Sequence, residues 1–245
     1  MAEAKVRLYV DQPLAAGQPV SVGADQANYL FNVMRLVRGD GVSLFNGRDG
    51  EWRAVVEQAG KRAGELVCEA LSGPQVTPPD LWLLFAPIKK VRTDFIVEKA
   101  VELGVARIVP VQTRFTHADR IRQDRLQAHA VEAAEQCGAT YVPEVAELAG
   151  LGRVLSGWSA RRLLWCDEGL AGRSSALSDF FTQERASEPW AILIGPEGGF
   201  SADEQAQLRG MPQVVPLSLG PRILRADTAV VAAMTLWQAV LGDWG

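Results

Sequence analysis

At 245 residues, with 48% hydrophobic and 22% charged residues, the chain has the composition of an ordinary folded protein, which excludes disorder as a default. Net charge is −4, and that average speaks against a nucleic-acid partner only if the charge is evenly spread. It is not: residues 87–125 hold nine Lys/Arg against five Asp/Glu, so a basic face on an acidic protein stays open.

In chain order, residues 1–72 read as short strands punctuated by turns. "VRLYV", "GVSLFNG", "EWRAVVEQ" and "GELVCEAL" alternate or run apolar, and "NGRDG" is a hairpin signal between two of them. One short helix fits within "GADQANYLFNVMRL". This is the pattern of a small β-barrel. The proline-rich "SGPQVTPPD" then supplies a linker, placed at 73–80. From residue 81 to 245 the rhythm becomes that of a parallel α/β sheet, with strands expected at 81–86, 107–111, 163–167, 191–195 and 214–218. Helices are expected at 92–103, 121–137 and 201–209. The last segment, "ADTAVVAAMTLWQAVLG", is apolar nearly all round, so it must be covered by its own domain or by a second subunit.

Cys68, Cys137 and Cys166 are far apart and odd in number, which suits buried free thiols better than a disulfide framework or a zinc cluster. With His117 and His129 the only histidines, no metal site is expected. No apolar run reaches membrane-spanning length and the first residues lack a signal-peptide core, so the expected address is the cytoplasm.

Two loops carry the chemistry. "LIGPEGGFSADE" breaks an apolar strand with Gly-Pro, inserts a carboxylate and two glycines, and opens a helix with a capping box at Ser201 and Glu204. It is neither GxGxxG nor a P-loop, and Glu197 would repel a phosphate, so a cationic or hydroxyl-bearing ligand fits better. The next strand is followed by "PLSLGPRILRADTAV", again broken by Gly-Pro and again feeding a helix. Loops at the carboxyl ends of parallel strands form ligand sites, and these two can be the walls of one pocket.

"GPEGGFSADE" followed by "LSLGPRILRADTA" resembles the signature of the RsmE family, the 16S ribosomal RNA uridine-N3 methyltransferases of the SPOUT superfamily. The likeness extends to "NYLFNVMRLVRGDGVSLFNG", "KKVRTDFIVEKAVELGVARIVPVQTRFTH" and "EAAEQCGATYVPEV", so it covers essentially the whole chain. It departs at Ala139, where an arginine is expected shortly after "EQCG", and at Asp227, where the relatives carry Glu. The resemblance implies a PUA-like RNA-binding barrel, then a SPOUT domain of α/β class whose C-terminal part is a trefoil knot, and a homodimer. The implied cofactor is S-adenosyl-L-methionine, held by Ile194, Gly195, Glu197, Gly198, Gly199, Leu217, Ser218, Leu219, Gly220, Ile223, Leu224 and Thr228.

N3 of uracil becomes nucleophilic only when its proton leaves, which calls for a base or for a cation on the developing oxygen anion. Arg225 is the candidate for the cation, or for gripping a phosphate, and Asp227 could orient Arg225 or accept the proton. The alternative for this pair is a structural ion pair at a helix start. Glu197 either binds the cofactor's ribose or amino group or holds its own loop. For the RNA partner, 16S rRNA of the small ribosomal subunit, the candidate contacts are Arg35, Arg38, Lys89, Lys90, Arg92 and Arg114. Arg35 and Arg38, three apart, would share one face of a helical turn. The competing readings are a SPOUT enzyme acting on another RNA, such as a transfer RNA, and a non-catalytic RNA-binding protein that kept the fold.

Overall fold

Alternation along the first strands decides how they pack. Leu8 and Val10, Val20 and Val22, Val42 and Leu44, Ala54 and Val56, and Leu66 and Cys68 are all buried in one cluster, each pair two residues apart. With a side-chain period of 2, this puts one face of every strand on a shared core. In the computed structural model, which describes residue 4 and residues 6–118, 120–172 and 188–244, these strands form a five-stranded sheet. They are β1 (Arg7–Tyr9), β2 (Pro19–Val22), β3 (Gly41–Phe45), β4 (Glu51–Ala59) and β5 (Gly64–Gly73), in the order β1-β3-β4-β5-β2. Pairing is antiparallel except between β1 and β3. Beyond β1, the side-chain amide of Gln12 accepts from the Ser21 N–H at 2.9 Å and donates to its carbonyl at 2.8 Å, filling the hydrogen-bonding role of a strand residue against β2.

The hairpin at "NGRDG" joins β3 to β4. The Asn46 carboxamide accepts from the backbone of Arg48 and Asp49 and donates to the Asp49 carboxylate at 2.6 Å. The helix α1 (Ala24–Ala27) continues as wider turns over Asn28–Val33 and stops there. Arg35 takes φ 55°, the Met34 N–H donates to Tyr29 O and the Leu36 N–H to Leu30 O. That is a helix termination with Arg in the left-handed position glycine normally fills. Arg35 and Arg38 therefore do not share a helical turn.

The chain divides into two compact units, Met1–Thr77 with Ala134–Val142, and Pro78–Ala133 with Pro143–Gly245. The membership of Ala134–Val142 in the first unit was not expected from sequence, and it has a clear chemical cause. Arg7 donates to the carbonyls of Ala134, Glu135 and Ala139 at 2.7–3.1 Å, satisfying acceptors that a helix leaves unpaired at its C-terminus. The Glu135 carboxylate accepts from the Tyr9 N–H at 2.9 Å. Ala139, where the family resemblance would have an arginine, contributes through its backbone.

The second unit is a parallel sheet. Its strands are β6 (Leu81–Phe85), β7 (Arg107–Gln112), β8 (Glu144–Val145), β9 (Ala149–Gly150), β10 (Arg162–Cys166), β11 (Trp190–Ile194) and β12 (Val214–Leu217). They run in the order β12-β10-β11-β6-β7-β8, with β9 also on β7. Every pairing is parallel, and every residue of β11 is buried, as a central strand covered on both faces requires. The helices are α2 (Lys90–Glu102), α3 (Gln123–Cys137), α4 (Leu151–Leu155), α5 (Ala202–Arg209) and α6 (Ala226–Leu241). Helix α6 packs on α2 and β11 through Ala226, Ala229, Val230, Ala233, Met234 and Trp237. Its one buried amide, Gln238, donates to Leu103 O at 2.6 Å and accepts from the Asp243 N–H, so no polar atom of that side chain is stranded. Because the strands are parallel, the carboxyl ends of β6, β7, β10, β11 and β12 lie along one edge. Among the described residues no helix is long and apolar enough to cross a membrane.

Candidate active site

Both glycine-broken loops open at that edge, and the sheet order adds a third between them. Strand β10 lies between β11 and β12, so residues 167–172, which follow it, lie between the other two loops. The three loops enclose a cavity of about 240 Å³. Ile194, Gly195, Glu197, Gly199, Leu217, Leu219, Gly220, Ile223 and Leu224 line it, together with Arg225. Gly198, Ser218 and Thr228, also expected to hold a ligand, are not on its wall: Gly198 is backed by Phe115, Ser218 is buried, and the Thr228 N–H donates to Asp227 at 2.9 Å. Reading the sequence missed Cys166 at the end of β10 and Asp167, Glu168 and Ala171 on the loop that follows it, along with Pro196, Phe200, Arg222, Ala226 and Ala229. The usable signal was the end of a parallel strand at "LLWCDEGL", but without a glycine pair it looked like any other loop.

The glycines serve the loops themselves. A Cβ on Gly195 would lie 2.6 Å from the Phe200 ring, which stacks edge-on against Trp165 at 5.9 Å. Gly199 has φ 69°, closes a turn by donating to Pro196 O at 2.9 Å, and meets the Glu168 carboxylate where a Cβ would be. Helix α5 starts with the capping box anticipated from "SADE": Ser201 accepts from the Glu204 N–H, and Glu204 accepts from that of Ser201. The second oxygen of Glu204 accepts from the Arg114 N–H at 2.8 Å, tying in the loop after β7. The loop after β10 is stitched to the end of β12 by Asp167 N to Leu217 O and to the loop after it by Gly172 N to Gly220 O, both 3.1 Å.

Charge on the walls is mixed and ordered. Asp167 is buried, accepting from the Gly169 N–H at 2.9 Å and from Arg209 at 3.3 Å. Burial pushes the Cys166 thiol up to about 12, which keeps it neutral at physiological pH. Arg225 sits at the N-cap of α6, exposed and without an ion pair among the described residues.

Asp227 is turned to Arg92, not to Arg225. The Arg92 guanidinium donates to both Asp227 oxygens at 2.8 and 2.6 Å and, through its third nitrogen, to Glu197. Arg92 is engaged by two carboxylates, and of the two readings of Glu197 the contact matches the one in which it holds its loop. Asp227 is a poor proton acceptor, since the hydrogen bonds from Arg92 hold its carboxyl below the ordinary value of 3.8. One guanidinium thus ties the loop after β11 to the first turn of α6.

The other expected cations are exposed: Lys89 and Lys90 at the start of α2, Arg114 after β7, and in the first unit Arg35 and Arg38, the latter paired with Glu57. The cavity offers apolar area on Leu217, Leu219, Ile223 and Leu224, carboxylates at Asp167 and Glu168, and backbone groups of glycine loops. Such a donor set suits a flat heterocycle carrying hydroxyls and positive charge.

A parallel sheet with this cavity, following a small β unit, defines a class. The family model described as "RNA methyltransferase domain" matches residues 75–238, and that described as "RNA methyltransferase PUA domain" matches residues 22–67. Among curated relatives, ribosomal RNA small subunit methyltransferase E of Synechocystis is 30% identical over 227 residues, covering 91% of this chain and 73% of that protein. The Rickettsia conorii protein of the same name is 29% identical, covering 93% of each. Ribosomal RNA small subunit methyltransferase E from Neisseria gonorrhoeae, solved bound to S-adenosyl methionine, superposes with a TM-score of 0.85 at 26% identity, covering 98% of this chain and 99% of that one. A Legionella pneumophila structure with bound SAM gives 0.86 at 28% identity, covering 97% and 98%. The chain belongs to the ribosomal RNA small subunit methyltransferase E family.

Proposed function

We propose that this protein transfers the methyl group of S-adenosylmethionine to N3 of a specific uridine in 16S rRNA. The observation that carries the reading is the single cavity closed by the loops after β10, β11 and β12, in a chain of this family. Leu217, Leu219, Ile223 and Leu224 would hold the flat ring of the cofactor, backbone groups of Ile194, Gly195, Leu219 and Gly220 its polar atoms, and Asp167 and Glu168 would favour its positive charge. When bound, the cofactor supplies an electrophilic methyl group on a sulfonium, which leaves positioning and charge management to the protein.

Arg225 lines that cavity with no ion pair among the described residues, so it is available to stabilise the uracil oxygen that gains negative charge as the N3 proton leaves. Asp227 acts at one remove, by holding Arg92 and through it Glu197. Lys89, Lys90 and Arg114 on the second unit, and Arg35 and Arg38 on the first, would contact RNA phosphates. The chain passes from β11 across β10 to β12, an order that supports a knotted C-terminal segment built from 195–200 and 217–226. The half-exposed face of α6, with Val231, Ala232, Leu236 and Val240, supports a homodimer.

The test is transfer of label from the cofactor to small ribosomal subunits of a strain lacking the gene, with the modified position mapped. In Arg225→Ala the transfer rate should fall by about 10²–10³, the scale of losing an oxyanion partner, while calorimetry shows the cofactor still bound. Wild-type turnover in that variant would remove Arg225 from the chemistry.

A further inference from the structure

Further along the same edge of the sheet lies a second depression, of about 400 Å³. One wall is the start of α2, after β6; the other is the segment entering α3, after β7. Four cations line it, Lys90, Arg120, Arg122 and Arg125, with no carboxylate among the described lining residues. Arg122 and Arg125 are held in place by Asp124 at 2.6 Å and Asp94 at 2.7 Å. Lys90 and Arg120 make no ion pair among the described residues. All four fall in the basic window 87–125, and of them Lys90 alone was expected as an RNA contact.

The two helix starts at this groove run against ordinary preference. The Lys89 carbonyl accepts the first helical bonds of α2, and the Arg122 carbonyl those of α3, so both N-cap positions carry cations. Such positions favour Ser, Thr, Asp or Asn, whose oxygens satisfy free N–H groups, and a helix N-terminus is itself positive. Helix α2 has no side-chain cap at all. Asp124 and Asp94 offset Arg122 and Arg125, and Asp124 also lies in the first turn of α3, so the positive charge left at the depression is that of Lys90, Arg120 and the uncapped start of α2. The arrangement becomes favourable when an anion lies between them.

We propose that this groove holds the phosphodiester backbone of the RNA strand beside its target nucleotide. The inference rests on the methyltransferase reading above and extends it to the path of the substrate. Strand β7 is two places from β11, which carries a wall of the cofactor cavity, a separation of roughly 10 Å across the sheet. That distance suits neighbouring nucleotides of one strand. Cations on both walls match a chain lying along the groove, whereas a small anion would need only one wall. Arg92, on the same helix as Lys90, is held by Asp227 and by Glu197, which lines the cavity.

The experiment compares wild type with Lys90→Glu/Arg120→Glu and with the neutral Lys90→Gln/Arg120→Gln, using a 16S rRNA fragment across a salt series. Affinity should fall about tenfold or more in the charge-reversed protein. The log–log salt dependence should flatten by about 1.4 in both variants, as two fewer neutralised phosphates on a single strand require. S-adenosylmethionine affinity, measured by calorimetry, should be unchanged in both, which also shows that they fold. Unchanged RNA affinity and salt slope in variants that still bind the cofactor would overturn the groove, even if the wild type methylates RNA. A wild type that binds RNA with the predicted salt response, weakened in the variants, yet methylates no 16S rRNA would uphold the groove and defeat the proposed reaction instead.

Discussion

Arg92 shows how one side chain can change partners between sequence and structure. In "KKVRTD" it reads as one of several basic residues suited to RNA, but its guanidinium joins two carboxylates that lie far from it and from each other in the chain. Arg92 and Asp227 are both about four-fifths shielded from solvent, so their bidentate contact is worth more than a surface pair. Arg92→Ala should cost about 2 kcal/mol in denaturant unfolding, because it leaves Asp227 without its partner, and should weaken cofactor binding as the two loops loosen. Arg92→Lys should recover only part, since an ammonium cannot make the forked contact. The pH response follows from the sign of the Asp227 shift. Its folded pKa is depressed, so the stabilisation is complete above the unfolded value near 3.8 and is lost as pH falls through the lower folded value. Asp227→Asn should remove that acid-limb contribution in a stability-versus-pH series.

At the level of elements, the termination of α1 is the point of conflict between local preference and what is present. Arg35 holds φ 55°, which an L-residue adopts at a cost, and its side chain is exposed. Arg35→Gly should raise stability by about 0.5–1 kcal/mol in thermal unfolding. If the same variant binds RNA less well, the strain is retained for the contact that the arginine makes. Other elements were open to direct reading. The capping box of α5 is legible because both of its bonds are local, within four residues. Strand β2 was not, because it is four residues long, begins with Pro19 and lies at a sheet edge, where proline is tolerated. The helical turn through Arg35 and Arg38 failed because spacing of three implies a shared face only while the helix lasts.

For the whole molecule, α6 decides the next test. Its inner face is buried on α2 and β11, while Val231, Ala232, Leu236 and Val240 stay partly exposed. If a second copy covers that face, Leu236→Glu should give a folded monomer in sedimentation, with circular dichroism unchanged and methyl transfer reduced. A dimer that survives this substitution places the interface elsewhere.

The alternation of apolar residues, the α/β rhythm, the two glycine-proline loops and the capping box are local features, and the sequence alone determined them, since each is specified by residues near one another in the chain. Nine of the twelve residues expected to hold the cofactor line the cavity for that reason. Only the tertiary structure placed β10 between β11 and β12, bringing the loop with Asp167 and Glu168 into the wall. It alone assigned Asp227 and Glu197 to Arg92, and set the starts of α2 and α3 around one basic groove. Strand order and long-range ion pairs depend on which segments meet in space, and the spacing of residues along a chain does not encode that.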